Sequence, residues 1–354
     1  MESRDNQKQE MMRGSASIMF QKPVAILASA SIAGTKESKG PFGSLFDLCS
    51  DDTEDLFQGK TWEEAESNMQ KLAVETVLRK KRLTPENIRY LFCGDLLGQD
   101  IATSFGVMDF EIPLWGLFGA CSTSGEALAL GAAFVSAGYA EKVVSLTSSH
   151  FASAEKEFRF PLGYGGQRPP SASWTVTGSG AFVLGNVEQD TKAVVTAITP
   201  GKIVDYGIKD SFNMGCAMAP AAAATIGNHL KDMGRKPDDY DAIVTGDLGL
   251  IGSRALIDML GQEKLDISRQ HVDCGAEIFG RETEHKAGMD THAGGSGCGC
   301  AAIMLASVFL PKVESGEWKR ILFVPTGALL NKLSFNEGNS VPGIAHAVVI
   351  EHYK

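Results

Sequence analysis

The sequence predicts an α/β protein made of two similar halves. Three observations carry this: apolar runs of strand length alternate with helix-period segments, their order recurs, and each recurrence puts small residues where a helix begins. In the first copy a helix and a turn lead to Tyr90-Leu-Phe-Cys-Gly-Asp-Leu. Gly119-Ala-Cys-Ser then opens a helix stopped at Ala137-Gly138, and Glu141-Lys-Val-Val-Ser-Leu-Thr follows. In the second copy a helix and a turn lead to Tyr240-Asp-Ala-Ile-Val-Thr-Gly-Asp-Leu. Gly294-Gly-Ser-Gly opens a helix ending at Ser315-Gly316, and Lys319-Arg-Ile-Leu-Phe-Val-Pro-Thr-Gly is the matching strand. Each copy closes on a further strand, Gly180-Ala-Phe-Val-Leu and Ala345-His-Ala-Val-Val-Ile. The expected organisation is a flexible tail over 1–17, one half over 18–190 and the other over 191–354.

Taken in order, Val24 to Ala33 reads as the first strand, and Lys36 to Gln58, mixing Gly, Pro and acidic residues, as a loop. Thr61-Trp-Glu-Glu64 has the form of a capping box, and Met69, Leu72, Ala73, Val77 and Leu78 continue at helical spacing to about Lys81. Thr84-Pro-Glu turns the chain into a strand over Ile88 to Leu97. Leu114 to Cys121 is a short apolar run, Ser122 to Ala137 a helix, and Lys142 to Ser149 a buried strand. Phe151 to Ser173 shows no period and reads as a long loop. Trp174 to Val187 and Ala193 to Gly207 read as strands, and a helix from Ala217 ends near Gly234. The alternation implies largely parallel sheets with helices on their faces.

The chain has 354 residues, 44% of them hydrophobic, with 39 Gly and 13 Pro scattered without a period, which excludes a disordered or collagen-like protein. With 33 Lys and Arg against 43 Asp and Glu, the net charge is −10 and no basic run occurs. Nucleic acid is therefore not an expected partner, nor is electrostatic attachment to anionic lipid. The N-terminal segment has no apolar core, and no stretch approaches the ~20 apolar residues of a membrane span. Seven cysteines without a secretory signal read as reduced thiols, so a soluble, cytoplasmic protein is expected. No CxxC pair or HxxxH spacing occurs, so no metal site is expected.

In open α/β sheets ligands bind beyond the carboxyl ends of the strands. Those ends carry Asp95, Cys121, Thr147-Ser-Ser-His150, Asp247 and the glycine-rich 294–299 segment, and the repeat brings them together where the halves meet. Cys121 opens a predicted helix, where the dipole and free N–H groups favour a thiolate, so its thiol pKa is expected to fall. Asp95 and Asp247 are repeat-related carboxylates that serve as acid and base, as calcium ligands or as caps of neighbouring backbone. His150 and His292 are the candidates to face Cys121. Arg159 and Arg168 are candidate carboxylate clamps, and Phe158 and Tyr164 candidate stacking groups. None of the glycine clusters is followed by the Lys-Ser/Thr of a phosphate loop, so no nucleotide cofactor is expected.

Two duplicated halves with a cysteine opening a helix after a short strand resemble the thiolase superfamily, ketoacyl synthases included. Several strings more closely resemble the stage V sporulation AD proteins of spore-forming bacteria. They include Gly116-Leu-Phe-Gly-Ala-Cys-Ser-Thr-Ser, Thr147-Ser-Ser-His, Tyr164-Gly-Gly-Gln, Met218-Ala-Pro-Ala-Ala-Ala, Ala293-Gly-Gly-Ser-Gly-Cys and Thr326-Gly-Ala-Leu-Leu, spread over nearly the whole chain after the tail. The resemblance implies a thiolase-like five-layer αβαβα fold, usually a homodimer. It implies binding of dipicolinic acid (pyridine-2,6-dicarboxylate) during its uptake into the forespore, with calcium entering only as the ligand's chelate. It further implies partners encoded in the same sporulation operon and a peripheral place at the forespore membrane. Condensing relatives carry a histidine after the second-half strand and an asparagine near the glycine-rich turn; here Thr245-Gly-Asp-Leu and Ala293-Gly-Gly-Ser stand there. An ionised aspartate cannot donate to an oxyanion and glycine has no side chain, so a non-catalytic pocket is expected, with a Cys121-dependent acyltransferase or ketoacyl synthase as the alternative. The expected ligand contacts are Asp95, Cys121, Ser122, Thr123, Ser149, His150, Arg159, Tyr164, Asp247, Gly295 and Ser296.

Overall fold

In the computed structural model, which describes residues 11–158, 168–280 and 289–354, the longest strand, β1 (Ser17–Ala33), links two five-stranded sheets. The first half adds β2 (Tyr90–Gly94), β3 (Leu114–Gly116), β4 (Lys142–Ser149) and β5 (Gly178–Gly185). The second consists of β6 (Ala193–Thr199), β7 (Ala242–Thr245), β8 (His271–Asp273), β9 (Arg320–Val324) and β10 (Ala347–His352). Their order is β3-β2-β4-β5-β1 followed by β6-β10-β9-β7-β8, so the second half repeats the first in mirror sequence across the β1–β6 seam. Each outer trio is parallel, as expected, but every pairing from β4 inward to β9 is antiparallel. The mixed sheet arises because β5 and β10 return from β4 and β9 through excursions at the strand ends rather than through a crossover helix along the sheet.

β1 begins at Ser17, earlier than the apolar run at Val24 indicates, because Ile18 and Met19 pair with Ile198 and Ala197 of β6. The register shifts between Met19 and Val24, the span that contains Pro23, where a residue without an N–H is tolerated. The ordered chain extends further back than a tail ending at residue 17. Met12 and Arg13 pair with Ile18 and Ser17, and the N–H groups of Ser15, Ala16 and Ser17 donate to the Asp232 carboxylate at 3.0, 3.0 and 3.1 Å.

Five helices matter for the site: α1 (Trp62–Lys81), α2 (Thr123–Ser136), α3 (Met214–Met233), α4 (Gly249–Gln262) and α5 (Cys298–Met304), the last running on through a π turn to Glu314. At the start of α1 the Thr61 hydroxyl accepts from Glu64 N–H at 3.2 Å, while the Glu64 carboxylate reaches one residue beyond the cap, to Lys60 N–H. Three apolar cores result. Met69, Ala73 and Val77 of α1 pack on Leu91, Val144 and Ala181; Ala222, Ile226 and Leu256 of α3 and α4 pack on Ile243, Leu322 and Val349. Between the sheets α2 and α5 share a third core with Phe92, Phe182, Phe323 and Ile350 from both halves. The layers are helix, sheet, helix pair, sheet, helix. Contact in the middle layer is tight: a Cβ on Gly180 would lie 2.6 Å from that of Ala302.

The segment after β4 departs from the expected loop. Phe151–Phe158 is helical, with Ala154 N–H donating to His150 O at 3.0 Å and Ala152 and Ala154 buried beneath it. Eight residues with one apolar side are too few to show a period inside a glycine-rich stretch. Beyond it, the expected strand over Trp174 to Val187 divides into Trp174–Thr175, paired with Gly295–Ser296, and β5.

Candidate functional site

The carboxyl ends of β2, β4, β7 and β9 converge, and the segments leaving them begin with Asp95, His150, Gly246-Asp247 and Pro325-Thr326. Cys121 is delivered to the same region by a 3-10 turn, Ala120–Ser122, immediately ahead of α2. Ala120 is left-handed at φ 52°, a conformation that costs a non-glycine residue about 1–3 kcal/mol and is retained here by surrounding bonds. The Ser122 hydroxyl donates to Gly119 O and the Thr123 hydroxyl to Ala120 O, both at 2.7 Å, and Gly119 N–H donates to Thr123 Oγ1. Backbone from the second half presses on this turn: a Cβ on Gly327 would meet Gly119 O at 2.5 Å. Ser122 and Thr123 therefore hold the shape of the turn.

A cavity of about 210 Å³ opens beside Cys121. Its polar lining is Cys121, Thr175, Ser296 and Asn331, with Gly297 backbone; its apolar lining includes Leu96, Phe118, Met214, Leu329 and Leu330. Among the described residues no Lys, Arg, Asp or Glu lines it. Two larger concavities, of about 710 and 820 Å³, lie away from it, beside Cys49 and Leu72 and beside Tyr90 and Tyr139. Neither contains the strand-end residues, so the smaller cavity is the functional candidate.

Behind Cys121 stands Asp247, 1% exposed. Thr326 Oγ1 donates to its Oδ1 at 2.8 Å and Gly297 N–H to its Oδ2 at 3.1 Å, and the Cys121 thiol lies beside it. Burial pushes the Asp247 carboxyl up to about 7, against the bonds from Thr326 and Gly297, which favour the charged form. The thiol responds in the opposite sense to the sequence expectation. Burial first, and the adjacent Asp247 charge second, push the Cys121 pKa well above the ordinary cysteine value. The helix terminus is present but outweighed, because a thiolate here would be desolvated beside a carboxylate.

The remaining expected contacts separate into three groups. Ser296 lines the cavity, and Gly295 pairs with Trp174 behind it. Asp95, Ser149 and His150 are buried but committed elsewhere. Asp95 accepts from Leu97 N–H, Thr103 N–H and the Thr103 hydroxyl at 2.6–2.7 Å. Ser149 donates to Val176 O and accepts from Gly299 N–H. His150 bonds Asp55 O through Nε2 at 2.9 Å and accepts from Ala152 N–H at Nδ1, so neither ring nitrogen is turned to Cys121. His292 pairs with Asp290 at 2.9 Å, and Arg168 bonds the same Asp290 while lying 4.8 Å from the Trp174 ring centre. Arg159 and Tyr164 lie outside the described residues, as does the segment containing His285. Among the described residues no cluster of three or more His, Cys, Asp or Glu is arranged to hold a metal.

The family model described as stage V sporulation protein AD matches residues 14–351. The chain belongs to that family. Within it, stage V sporulation protein AD of Bacillus subtilis (strain 168) is 41% identical over 340 residues, 96% of this chain and 98% of that protein. Among solved structures the chain is similar to 3-oxoacyl-(acyl-carrier-protein) synthase III from Aquifex aeolicus VF5, with TM-score 0.56 at 13% identity over 93% of this chain and 99% of that one. It is also similar to an OleA variant from Xanthomonas campestris, with TM-score 0.59 at 12% identity over 94% of this chain and 99% of that one. Acat5 thiolase from Ascaris suum in complex with coenzyme A gives TM-score 0.56 at 14% identity over 94% of this chain and 100% of that one. These likenesses establish a thiolase-like fold.

Sequence reasoning missed four residues behind the candidate cavity and the strand ends. Thr326 and Gly297 hold Asp247, although both fall in strings that carry the resemblance. Glu66 and Gln70 sit on the buried face of α1, both fully buried: Glu66 accepts from Ser148 and Ser153 at 2.8 and 2.6 Å, and Gln70 donates to Ser148 and Thr103. Their signal was available, since they share the helical stripe of Met69 and Ala73. Burial pushes Glu66 up to about 8.

Proposed function

We propose that this chain binds dipicolinic acid in the Cys121 cavity and assists its uptake into the forespore as a non-catalytic carrier. The observation that carries the reading is the state of the cysteine at the nucleophile position: Cys121 is a buried thiol beside the Asp247 carboxylate, and burial raises its pKa. A condensing cysteine needs a base that deprotonates it and donors that stabilise an oxyanion, and a high thiol pKa opposes the first. The cavity size points the same way. About 210 Å³ is below the roughly 300–1,000 Å³ of sites for drug-sized ligands, and suits a single-ring ligand better than an acyl chain. Ser296 Oγ and the Asn331 amide supply neutral donors to carboxylate oxygens. Calcium enters this reading only as the ligand's chelated companion.

The remaining expectations are proposals of the same reading. β3 ends its sheet, and Trp115 and Phe118 at its edge are 49% and 58% exposed beside Phe105 and Met108 at 62% and 60%. A terminal strand with one open edge and large exposed apolar groups fits a second copy of the chain, giving a homodimer. No helix among the described residues is long and apolar enough to cross a membrane. Attachment at the forespore membrane is accordingly assigned to other proteins of the sporulation operon.

Calorimetric titration with dipicolinate, with and without calcium, tests the function. Saturable binding that Cys121→Trp abolishes is the expected result. Absence of binding together with turnover of an acyl-thioester at Cys121 would replace this reading with the acyltransferase one, which the retained cysteine keeps open.

A further inference from the structure

Among the described residues the Cys121 cavity has no cation on its wall, and the group behind its thiol is a carboxylate. Asp247 is held by the Thr326 hydroxyl and by Gly297 N–H, beside the thiol. Among the described residues the titratable groups facing it are Cys121 on the turn before α2, Cys298 and Cys300 on α5, Asp273 at the end of β8 and Cys274 next to it. None of these can carry positive charge. An anion that enters therefore meets an unbalanced negative charge in a site of low dielectric, where like charges repel strongly.

We infer that Asp247 is the specificity-determining residue for charge in this cavity: ionised, it excludes anionic ligands, and protonated, it admits them. The inference rests on the anionic-ligand reading above for its biological meaning. Its physical content is a carboxylate that competes with a ligand carboxylate for one electrostatic place, so that entry of the ligand is coupled to uptake of one proton at Asp247. The position of its titration, near 7 through burial, puts the changeover within the range a cell compartment reaches. Loading is then favoured on the acid side and release on the alkaline side.

A pair of thiol reagents tests this without dipicolinate. Iodoacetate is anionic and iodoacetamide neutral, and both alkylate Cys121 through the same thiolate, so the thiolate fraction cancels in the ratio of their rates. Cys121 labelling is followed by peptide mass spectrometry from pH 6 to 8.5, which separates it from exposed Cys49. The iodoacetate-to-iodoacetamide ratio is expected to fall by about tenfold as Asp247 ionises, and to stay level in Asp247→Asn. Thr326→Val, which removes one bond to the charged form, is expected to move the fall to higher pH, and serves if Asp247→Asn does not fold. A level ratio in the wild-type protein overturns the inference. Calorimetry of dipicolinate in two buffers of different ionisation enthalpy then counts protons. About one proton taken up by wild type above pH 7, and none by Asp247→Asn, supports the coupling; binding without uptake refutes it. If the reagent ratio falls but dipicolinate does not bind, charge selection stands and the dipicolinate reading fails.

Discussion

Asp95 and Asp247 occupy the same place in the two halves, each the middle residue of a Gly-Asp-Leu exit from a parallel strand, and they do opposite things. Asp95 is fully consumed by backbone and by Thr103, fastening the turn that leads to helix Ile101–Val107. In the second half that fastening falls to another residue. Asp273, at the end of β8, accepts from Leu248 N–H, Gly249 N–H, Ala276 N–H and the Thr245 hydroxyl at 2.7–2.9 Å. Asp247 is thereby released to face Cys121. Duplication supplied two equivalent carboxylates; an acidic residue on the neighbouring strand made one of them dispensable to the fold and available to the cavity.

The comparison is broken most directly by truncation. Asp95→Ala removes a buried acceptor and strands two N–H groups and a hydroxyl, and is expected to cost about 3 kcal/mol or more in urea unfolding at pH 7.5. Asp247→Asn keeps an acceptor for Thr326 and is expected to cost about 1 kcal/mol or less. Equal losses would show that Asp247 is as structural as its counterpart.

A second contrast is in how high the buried carboxyls titrate. In the first half burial carries Glu37 and Glu66 from 4.5 to about 8; in the second, Asp247 and Asp273 reach about 7 and 6 from 3.8. Between the unfolded and folded values the native protein holds more protons than the unfolded chain, so stability falls as pH rises. The contribution of the Glu pair is whole below about 4.5 and is lost as pH passes through about 8. The melting temperature is expected to be lower at pH 8.5 than at pH 6, and Glu66→Gln to flatten the alkaline part of that slope. A melting temperature that rises toward pH 8.5 would show that burial of these groups is relieved by other charges.

Much of this was legible in the sequence because the repeat is written in residue order: the strand exits, the helix openings and the two similar α/β halves follow from pattern, and the five layers from the family resemblance. What could not be read is what acts across space. Cys121 looks activated when only its own helix is considered, and its thiol is quenched by burial and by a residue 126 positions away, 247 minus 121. Asp273 attracted no attention because nothing local distinguishes an aspartate at a strand end that caps from one that does not. His150 follows β4 in sequence as a catalytic histidine would, yet its ring turns to Asp55, in a segment that read only as a loop. Glu66 and Gln70 are the exception, polar residues on an apolar helical stripe, visible to the period and overlooked.

The smallest expected effect is the most diagnostic. Thr326 donates one hydroxyl to Asp247, and a hydrogen bond to a charged acceptor is worth more than one to its neutral form. Thr326→Val should therefore destabilise by about 1 kcal/mol at pH 8.5, where Asp247 is ionised, and by less at pH 6, where it is largely protonated. Thr103→Val, at the matching carboxylate, removes a donor to Asp95 and an acceptor of Gln70 together, and its loss should be larger. A pH-dependent loss at Thr326 would mark Asp247 as a titrating group behind the cavity wall. The same loss at both pH values would make Thr326 a packing residue and leave Asp247 without its switch.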